Sequence, residues 1–220
     1  MKRKNYFSTL LILIQLAMGI YMGFQLPDGT RIPSHWNLQG EVDGYMDKWP
    51  GLLIFPGFNL LILTLMLLLP YISVRYRQAP ERFEHIIPRV TNILISCFFL
   101  MNLGLLLVLQ GIIAMSNLIV FLPLGILFYL LGNVMPQLPS NFFVGIRTPW
   151  TLSSESNWVR THQLGSLCFR VSGILLIIVP AILRNKPAIT GLFLIFIFLV
   201  ILYPALYSFL LFRKDKKQDN

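Results

Sequence analysis

Two stretches of this chain carry side chains whose types and spacing could do chemistry. The first is Asn141 to Gly165, NFFVGIRTPWTLSSESNWVRTHQLG, which holds Arg147, Arg160, His162, Trp150 and Trp158 among caps and turn residues. The second is Ile32 to Trp49, IPSHWNLQGEVDGYMDKW, with His35, Trp36, Asn37, Glu41, Asp43 and Asp47. Hydrolysis would need a nucleophile beside a base or a zinc pair such as HExxH, and neither stretch has one. His85 and His162 share the same side of the membrane with Glu81, Glu84 and Glu155, where a metal site is conceivable, and an enzyme would have to use one of these two histidines. The two glutamates of the 74–89 segment read better as surface acids among arginines. No catalytic residue and no metal or other cofactor is therefore expected. Asn37, Gln39, Glu41 and Asp43 before Gly44 are spaced like an oxygen-rich calcium loop, but Pro50 stands where that loop needs its closing glutamate. His35 beside Trp36 fits two roles, a ring pair at a membrane surface or a contact for an external ligand.

These side chains must be positioned by membrane helices. Of the 220 residues, 55% are apolar and only 12% charged, against roughly 45–50% and 25% in soluble domains. Six apolar runs approach or exceed the roughly 18 residues that cross a hydrocarbon core: Phe7–Phe24, Gly51–Ser73, Val90–Met115, Leu118–Met135, Ser166–Leu183 and Ala188–Phe212. The first is longer than the apolar part of a secretory signal and offers no small-residue cleavage site, so it is expected to remain as a span. The fold class expected is all-α, a polytopic helical membrane protein with a small loop between helices 1 and 2. Asp43-Gly44 marks a tight turn there, and so a small hairpin. Short turns are expected at Ala114–Asn117 and Arg184–Pro187, and an unstructured polar tail from Arg213.

Pro136, Pro139 and Pro149 forbid a continuous helix over 136–150. Beyond Ser153 or Ser154, a possible cap, Glu155 suits a helix start, and Trp158, Thr161, His162 and Gly165 share one helical face. An amphipathic helix at the inner interface, feeding the fifth span, is expected. Arg147, between Gly145 and Pro149, calls for a fixed polar partner: helix carbonyls, a lipid phosphate or a protein ligand. The two Trp residues also suit simple interfacial anchoring. Three units follow from the pattern: 1–73, 74–135 and 136–220. The basic segment Val74 to Arg89 matches no motif.

The net charge of +9 sits just outside the apolar runs and forms no stripe, which excludes direct nucleic-acid binding as the reading. Fourteen of the 18 Lys and Arg fall on the side of the termini and four on the other, so both termini and the Asn141–Gly165 stretch are expected in the cytoplasm. Cys97 and Cys168 lie within or beside apolar runs and form no disulfide framework. Apart from Arg170 the expected spans lack charged groups, which weighs against an ion-coupled carrier. Gln15, Asn59, Asn92, Asn102, Gln110 and Asn133 are expected to join helices by hydrogen bonds.

Asn141, Gly145-Ile146-Arg147-Thr148-Pro149-Trp150-Thr151-Leu152, Trp158, Thr161-His162 and Gly165 together resemble the signature of the SdpI-like bacterial immunity proteins. Pro33, His35-Trp36-Asn37, Gly40 and Asp43-Gly44 resemble the small uncharacterised domain that often precedes it. The resemblance implies a cell-membrane protein, without catalysis, that protects its producer from a secreted peptide toxin. In the best-known kind of member it also implies a receptor that holds a cytoplasmic transcriptional repressor at the membrane. The binding residues it implies are Asn141, Gly145, Arg147, Thr148, Pro149, Trp150, Trp158 and His162 on the inner side. His35, Trp36, Asn37, Asp43 and Gly44 form the outer candidate sensor. The other classes to weigh are a permease exporting a toxic peptide or lipid, and a membrane enzyme at the inner interface.

Overall fold

The computed structural model describes residues 5–37, 41–182 and 187–218. Six long helices dominate: α1 (Tyr6–Gln25), α2 (Lys48–Ile72), α4 (Ile86–Leu109), α5 (Leu118–Val134), α7 (Glu155–Ile182) and α8 (Pro187–Gln218), with short α3 (Val74–Gln78) and α6 (Pro149–Ser153) between them. Each of the six is long and apolar enough to cross a membrane. The one sheet among the described residues is an antiparallel pair, β1 (Arg31–Trp36) and β2 (Val42–Asp47). The all-α, six-span architecture stands.

The surface and the interior invert the pattern of a soluble bundle. Leu13, Phe24, Leu60, Leu65, Phe198 and Leu199 are exposed, whereas Ser8, Gln15, Asn59 and Ser172 are wholly buried. An apolar exterior of this extent needs a lipid solvent. Of the polar residues expected to join helices, Gln15, Asn59, Asn92 and Gln110 do so, whereas the Asn102 amide has no partner among the described residues. Ser8 donates to Asn92 Oδ1 at 2.5 Å, linking α1 to α4. Asn59 Nδ2 donates to Gln15 Oε1 at 2.8 Å and to the Ile95 carbonyl at 3.1 Å, tying α2 to both. In hydrocarbon such bonds hold helices that apolar contact alone would leave free to slide. Between α5 and α7 the device is small residues: a Cβ on Gly125 would stand 2.6 Å from the Gly173 carbonyl oxygen. No L side chain fits there, so the two backbones touch.

With an even number of spans, one end of the bundle holds the hairpin and the other the 74–89 and 136–154 segments. They are called the hairpin end and the loop end below. A 24-residue α4 separates them by roughly 36 Å at 1.5 Å per residue. Ile86, Ile87 and Val90 at its start pack with Trp158, Met135 and Leu138, and Leu105 and Leu106 at its finish pack with Ile32 and Leu52.

Several boundaries differ from expectation. α4 ends at Leu109 rather than Met115, because Gly111 adopts φ +71 and turns its N–H to the Val108 carbonyl at 2.9 Å. That left-handed residue closes the helix. α8 continues through the expected tail to Gln218. The helix expected at the inner interface is not a separate element: α7 runs unbroken from Glu155 to Ile182. Its first three turns put Trp158, Thr161 and His162 inside the bundle. Apolar span and polar prelude thus form one rod, and it carries Arg160, His162 and Arg170. The expected turn over Arg184–Pro187 lies largely outside the described residues, as do Gln39 and Gly40.

Candidate functional site

At the loop end the chain after α5 makes a compact loop sewn by its own side chains. Asn141 is buried and uses both ends of its amide: Nδ2 donates to the Pro139 and Val144 carbonyls at 2.8 and 3.0 Å, and Oδ1 accepts from the Phe143 and Val144 N–H groups at 2.8 and 2.7 Å. That is a self-closed Asx turn, which only a short side chain with donor and acceptor can make. Gly145 follows at φ +114, and a Cβ there would stand 2.5 Å from His162 Nε2. Glycine is needed twice over, for the backbone and for the space.

That space lets His162 reach the loop. Its Nε2 accepts the Ile146 N–H at 3.0 Å, and its Nδ1 bonds the Trp158 carbonyl at 2.8 Å. A carbonyl only accepts and an N–H only donates, so the proton sits on Nδ1 and the ring is the neutral Nδ1–H tautomer. Trp158 stacks on the ring at 4.0 Å between centroids and donates its indole N–H to the Leu138 carbonyl at 2.8 Å. Both ring nitrogens are occupied, so His162 is placed as a structural hydrogen-bonder rather than a base.

Thr148 then caps α6: its side chain accepts from the Thr151 N–H, while Thr151 Oγ1 accepts from the Thr148 N–H, with Pro149 opening the helix. This reciprocal cap and the N1 proline fix the entry of a five-residue helix that could not otherwise persist. Thr151 Oγ1 also donates to the Ile146 carbonyl at 2.9 Å. α6 docks on α8 through Trp150, whose ring lies 4.9 Å from Phe209, and through Thr148 Oγ1, 2.9 Å from Ser208 Oγ. Asn157 of α7 donates to the Ser208 carbonyl at 2.9 Å. Arg147 is exposed and donates to the Phe142 carbonyl at 2.5 Å. Of the partners considered for it, the structure shows a backbone carbonyl. The signature residues therefore form one clamp joining the end of α5, the start of α7 and the end of α8.

The basic 74–89 segment backs this clamp. Tyr76 and Phe83 stack at 5.1 Å and pack in the same cluster as Trp158 and Leu138. Burial, with the nearby Glu84 carboxylate, pushes the Tyr76 phenol up from its ordinary value. Arg75 donates to Ser140 Oγ and to the Leu152 carbonyl, and Arg82 pairs with Glu155 at 2.9 Å. Ser208, Asn157 and Arg75 were not among the sequence-derived candidates. Ser208 had one signal, a hydroxyl within the apolar run FLVILYPALYSFLLF; the other two had none.

At the hairpin end, His35 Nδ1 and Asp43 Oδ1 lie 2.5 Å apart, and Asn37 bonds Glu41 through Nδ2 to Oε2 at 3.1 Å and through Oδ1 from its N–H at 2.9 Å. Asp43-Gly44 is not the turn of the hairpin: both residues lie within β2, and Gly44 sits opposite His35 at a break in register. A Cβ on Gly44 would meet His35 Cβ at 2.8 Å. This glycine serves close strand approach at a bulge rather than a tight turn. Trp36 turns toward the bundle and its indole N–H contacts Met115 Sδ at 3.2 Å, so the hairpin is tethered to the α4–α5 turn. Beneath it lies a cavity of about 360 Å³, lined among others by His35, Trp36, Asn37, Met115 and Thr190. Lys48 anchors the base of the hairpin, donating to Asp28 at 2.7 Å and to the Leu26 carbonyl at 3.2 Å. That hydrogen bond and charge hold the Asp28 carboxyl below its ordinary value.

The two sets of candidate residues are thus each assembled, at opposite ends of the bundle, and are not brought together. No group of three or more His, Cys, Asp or Glu able to hold a metal occurs among the described residues.

Both ends correspond to known sequence families. Residues 10–60, spanning α1, the hairpin and the first half of α2, match a domain of unknown function, DUF1648. Residues 137–208, spanning the clamp, α7 and most of α8, match the SdpI/YfhL protein family. The immunity protein SdpI of Bacillus subtilis (strain 168) is 22% identical over 206 residues, which cover 93% of this chain and 91% of that protein. No solved structure matches the chain. The polytopic membrane protein described above thus carries, behind a segment matching DUF1648, a segment that matches the SdpI/YfhL protein family.

Proposed function

We propose that the protein is a membrane immunity protein that protects its producer from a secreted antimicrobial peptide. The observation that carries this reading is the similarity to an immunity protein along 93% of the chain, covering hairpin and clamp alike. In this reading the hairpin end faces outward and both termini lie in the cytoplasm, since the Lys and Arg excess lies at the loop end. His35, Trp36, Asn37, Asp43 and Gly44 meet the toxin, above the cavity that Trp36 closes toward the bundle. Protection works by binding, without catalysis or cofactor. The three units, 1–73, 74–135 and 136–220, act as sensor, connecting hairpin and clamp.

The clamp residues Asn141, Gly145, Arg147, Thr148, Pro149, Trp150, Trp158 and His162 set the cytoplasmic surface. A transcriptional repressor is the partner proposed for that surface. Signalling requires that toxin bind two arrangements of the bundle unequally, because equal binding shifts no population. Arg147 and Trp150 are the variants of choice, since Arg147 is exposed and Trp150 seats α6 on α8. Arg147→Ala and Trp150→Ala are expected to lower survival under toxin while membrane insertion stays at the wild-type level. Full protection by both would remove the clamp from the mechanism.

A further inference from the structure

The basic segment without a motif forms one wall of a cavity of about 350 Å³ at the loop end, and the clamp and the start of α7 form the other. Arg75 and Arg82 line the first wall; Ser140, Ser153, Ser154 and Glu155 line the second. Arg75 is half-buried, donates to Ser140 Oγ and to the Leu152 carbonyl at 3.3 Å, and lies 4.6 Å over the Phe142 ring. All three partners are neutral, and among the described residues no carboxylate pairs with Arg75. A guanidinium drawn partly out of water, fixed in orientation and left without a counter-ion, favours an anion brought to it.

The second arginine adds a replaceable partner. Arg82 pairs with Glu155 at 2.9 Å, with both side chains more than half exposed (54% and 56%). Such a pair contributes little and exchanges readily. Glu155 is also the one carboxylate in the lining, so it occupies the place an incoming anion would take. Two guanidinium forks with serine hydroxyls around them make a donor set suited to the oxygens of a phosphate, which accept such forks two bonds at a time.

We propose that this cavity is a phosphate-binding site in which Arg75 is the fixed donor and Arg82 exchanges Glu155 for the ligand. Arg75 stands three residues beyond Ile72, where α2 ends, which is the depth of lipid headgroups beside a membrane helix. A phospholipid headgroup and a free phosphate compound share the chemistry that the cavity recognises. The inference stands on the cavity alone and does not require the immunity reading.

The test uses the full chain purified in detergent, with binding of short-chain phosphatidylglycerol, inorganic phosphate and a glycolipid without phosphate measured by native mass spectrometry and thermal shift. Phosphatidylglycerol, inorganic phosphate or both should bind saturably, and the glycolipid should not. Arg82→Gln should weaken that binding about fivefold or more, as loss of a charge-assisted fork requires. Glu155→Gln should strengthen it about threefold by freeing Arg82. Competition by inorganic phosphate would identify a free phosphate compound as the ligand, and binding of the lipid alone would identify the headgroup. Arg75→Gln should abolish binding; should that variant not fold, the two exposed positions still decide. Equal binding of glycolipid and phosphatidylglycerol, or wild-type affinity in both Arg82→Gln and Glu155→Gln, would overturn the proposal.

Discussion

His162 Nε2 accepts the backbone N–H of Ile146 at 3.0 Å, across a space that exists because residue 145 has no side chain. This bond joins the loop after α5 to the first turns of α7, and it is the closest link between the Gly-Ile-Arg-Thr-Pro-Trp motif and the histidine 16 residues later. Gly145→Ala should destabilise the protein more than an ordinary surface change. It adds a Cβ 2.5 Å from the ring nitrogen at a residue with φ +114, and strain of that kind costs about 1–3 kcal/mol before any clash. His162→Phe keeps the stacking on Trp158 but leaves the Ile146 N–H without its acceptor, a loss of about 1–3 kcal/mol. Thermal unfolding in detergent should show a lowered Tm for both. An unchanged Tm in His162→Phe would mean that water replaces the ring nitrogen at no cost.

Asn102 gives the opposite sign. It is 1% exposed on α4 and neither its amide nitrogen nor its oxygen has a partner among the described residues, in contrast to Asn59 Nδ2, which bonds twice. Burying an unsatisfied amide costs about 1–3 kcal/mol, and leucine keeps the branched outline of the side chain without its polar atoms. Asn102→Leu should therefore raise the Tm, whereas Asn59→Leu, which breaks the bonds to Gln15 and to the Ile95 carbonyl, should lower it. A fall in both would show that Asn102 holds an ordered water or a second conformation essential to the fold.

Much of this architecture was legible in the sequence because the spans obey one rule, the length of hydrocarbon to be crossed, and each apolar run approaches or exceeds it. The positions of Gln15, Asn59 and Asn92 between helices follow from the same rule, since lipid offers them nothing. What the sequence hid was continuity and facing. Polar residues 155–165 look like a surface helix when their apolar face is counted alone. In the fold that face is covered by Leu138, Met135 and the 74–89 segment, none of which is near in sequence. Asp43-Gly44 has the composition of a tight turn, but Gly44 is set by cross-strand contact with His35, a tertiary demand invisible to a dipeptide rule. His162 carried no sign of its neutral, doubly bonded state until Gly145 was seen to open the space before it.

The anchor of the hairpin should respond to acid. The Asp28 carboxyl titrates below its ordinary value of 3.8 because Lys48 bonds it and carries the opposite charge. A depressed folded-state value means that the stabilising contribution is fully present above pH about 4 and is lost as pH falls through the lower folded value. Protection of the β1–β2 amides, measured relative to their intrinsic exchange rates, should therefore fall on acidification below pH about 4, and Asp28→Asn should show low protection already at neutral pH with a flatter pH dependence. An Asp28→Asn variant that keeps the wild-type acid response would show that the response does not arise from the Asp28–Lys48 pair.

The central claim is that this chain protects the cell that makes it. It is tested most directly by deleting the gene from its host and growing the deletion strain together with its parent under conditions in which the parent secretes its toxin. Selective killing of the deletion strain is predicted, with survival restored by the wild-type chain at normal level in the membrane. Equal growth of the two strains while toxin is demonstrably secreted would contradict the account.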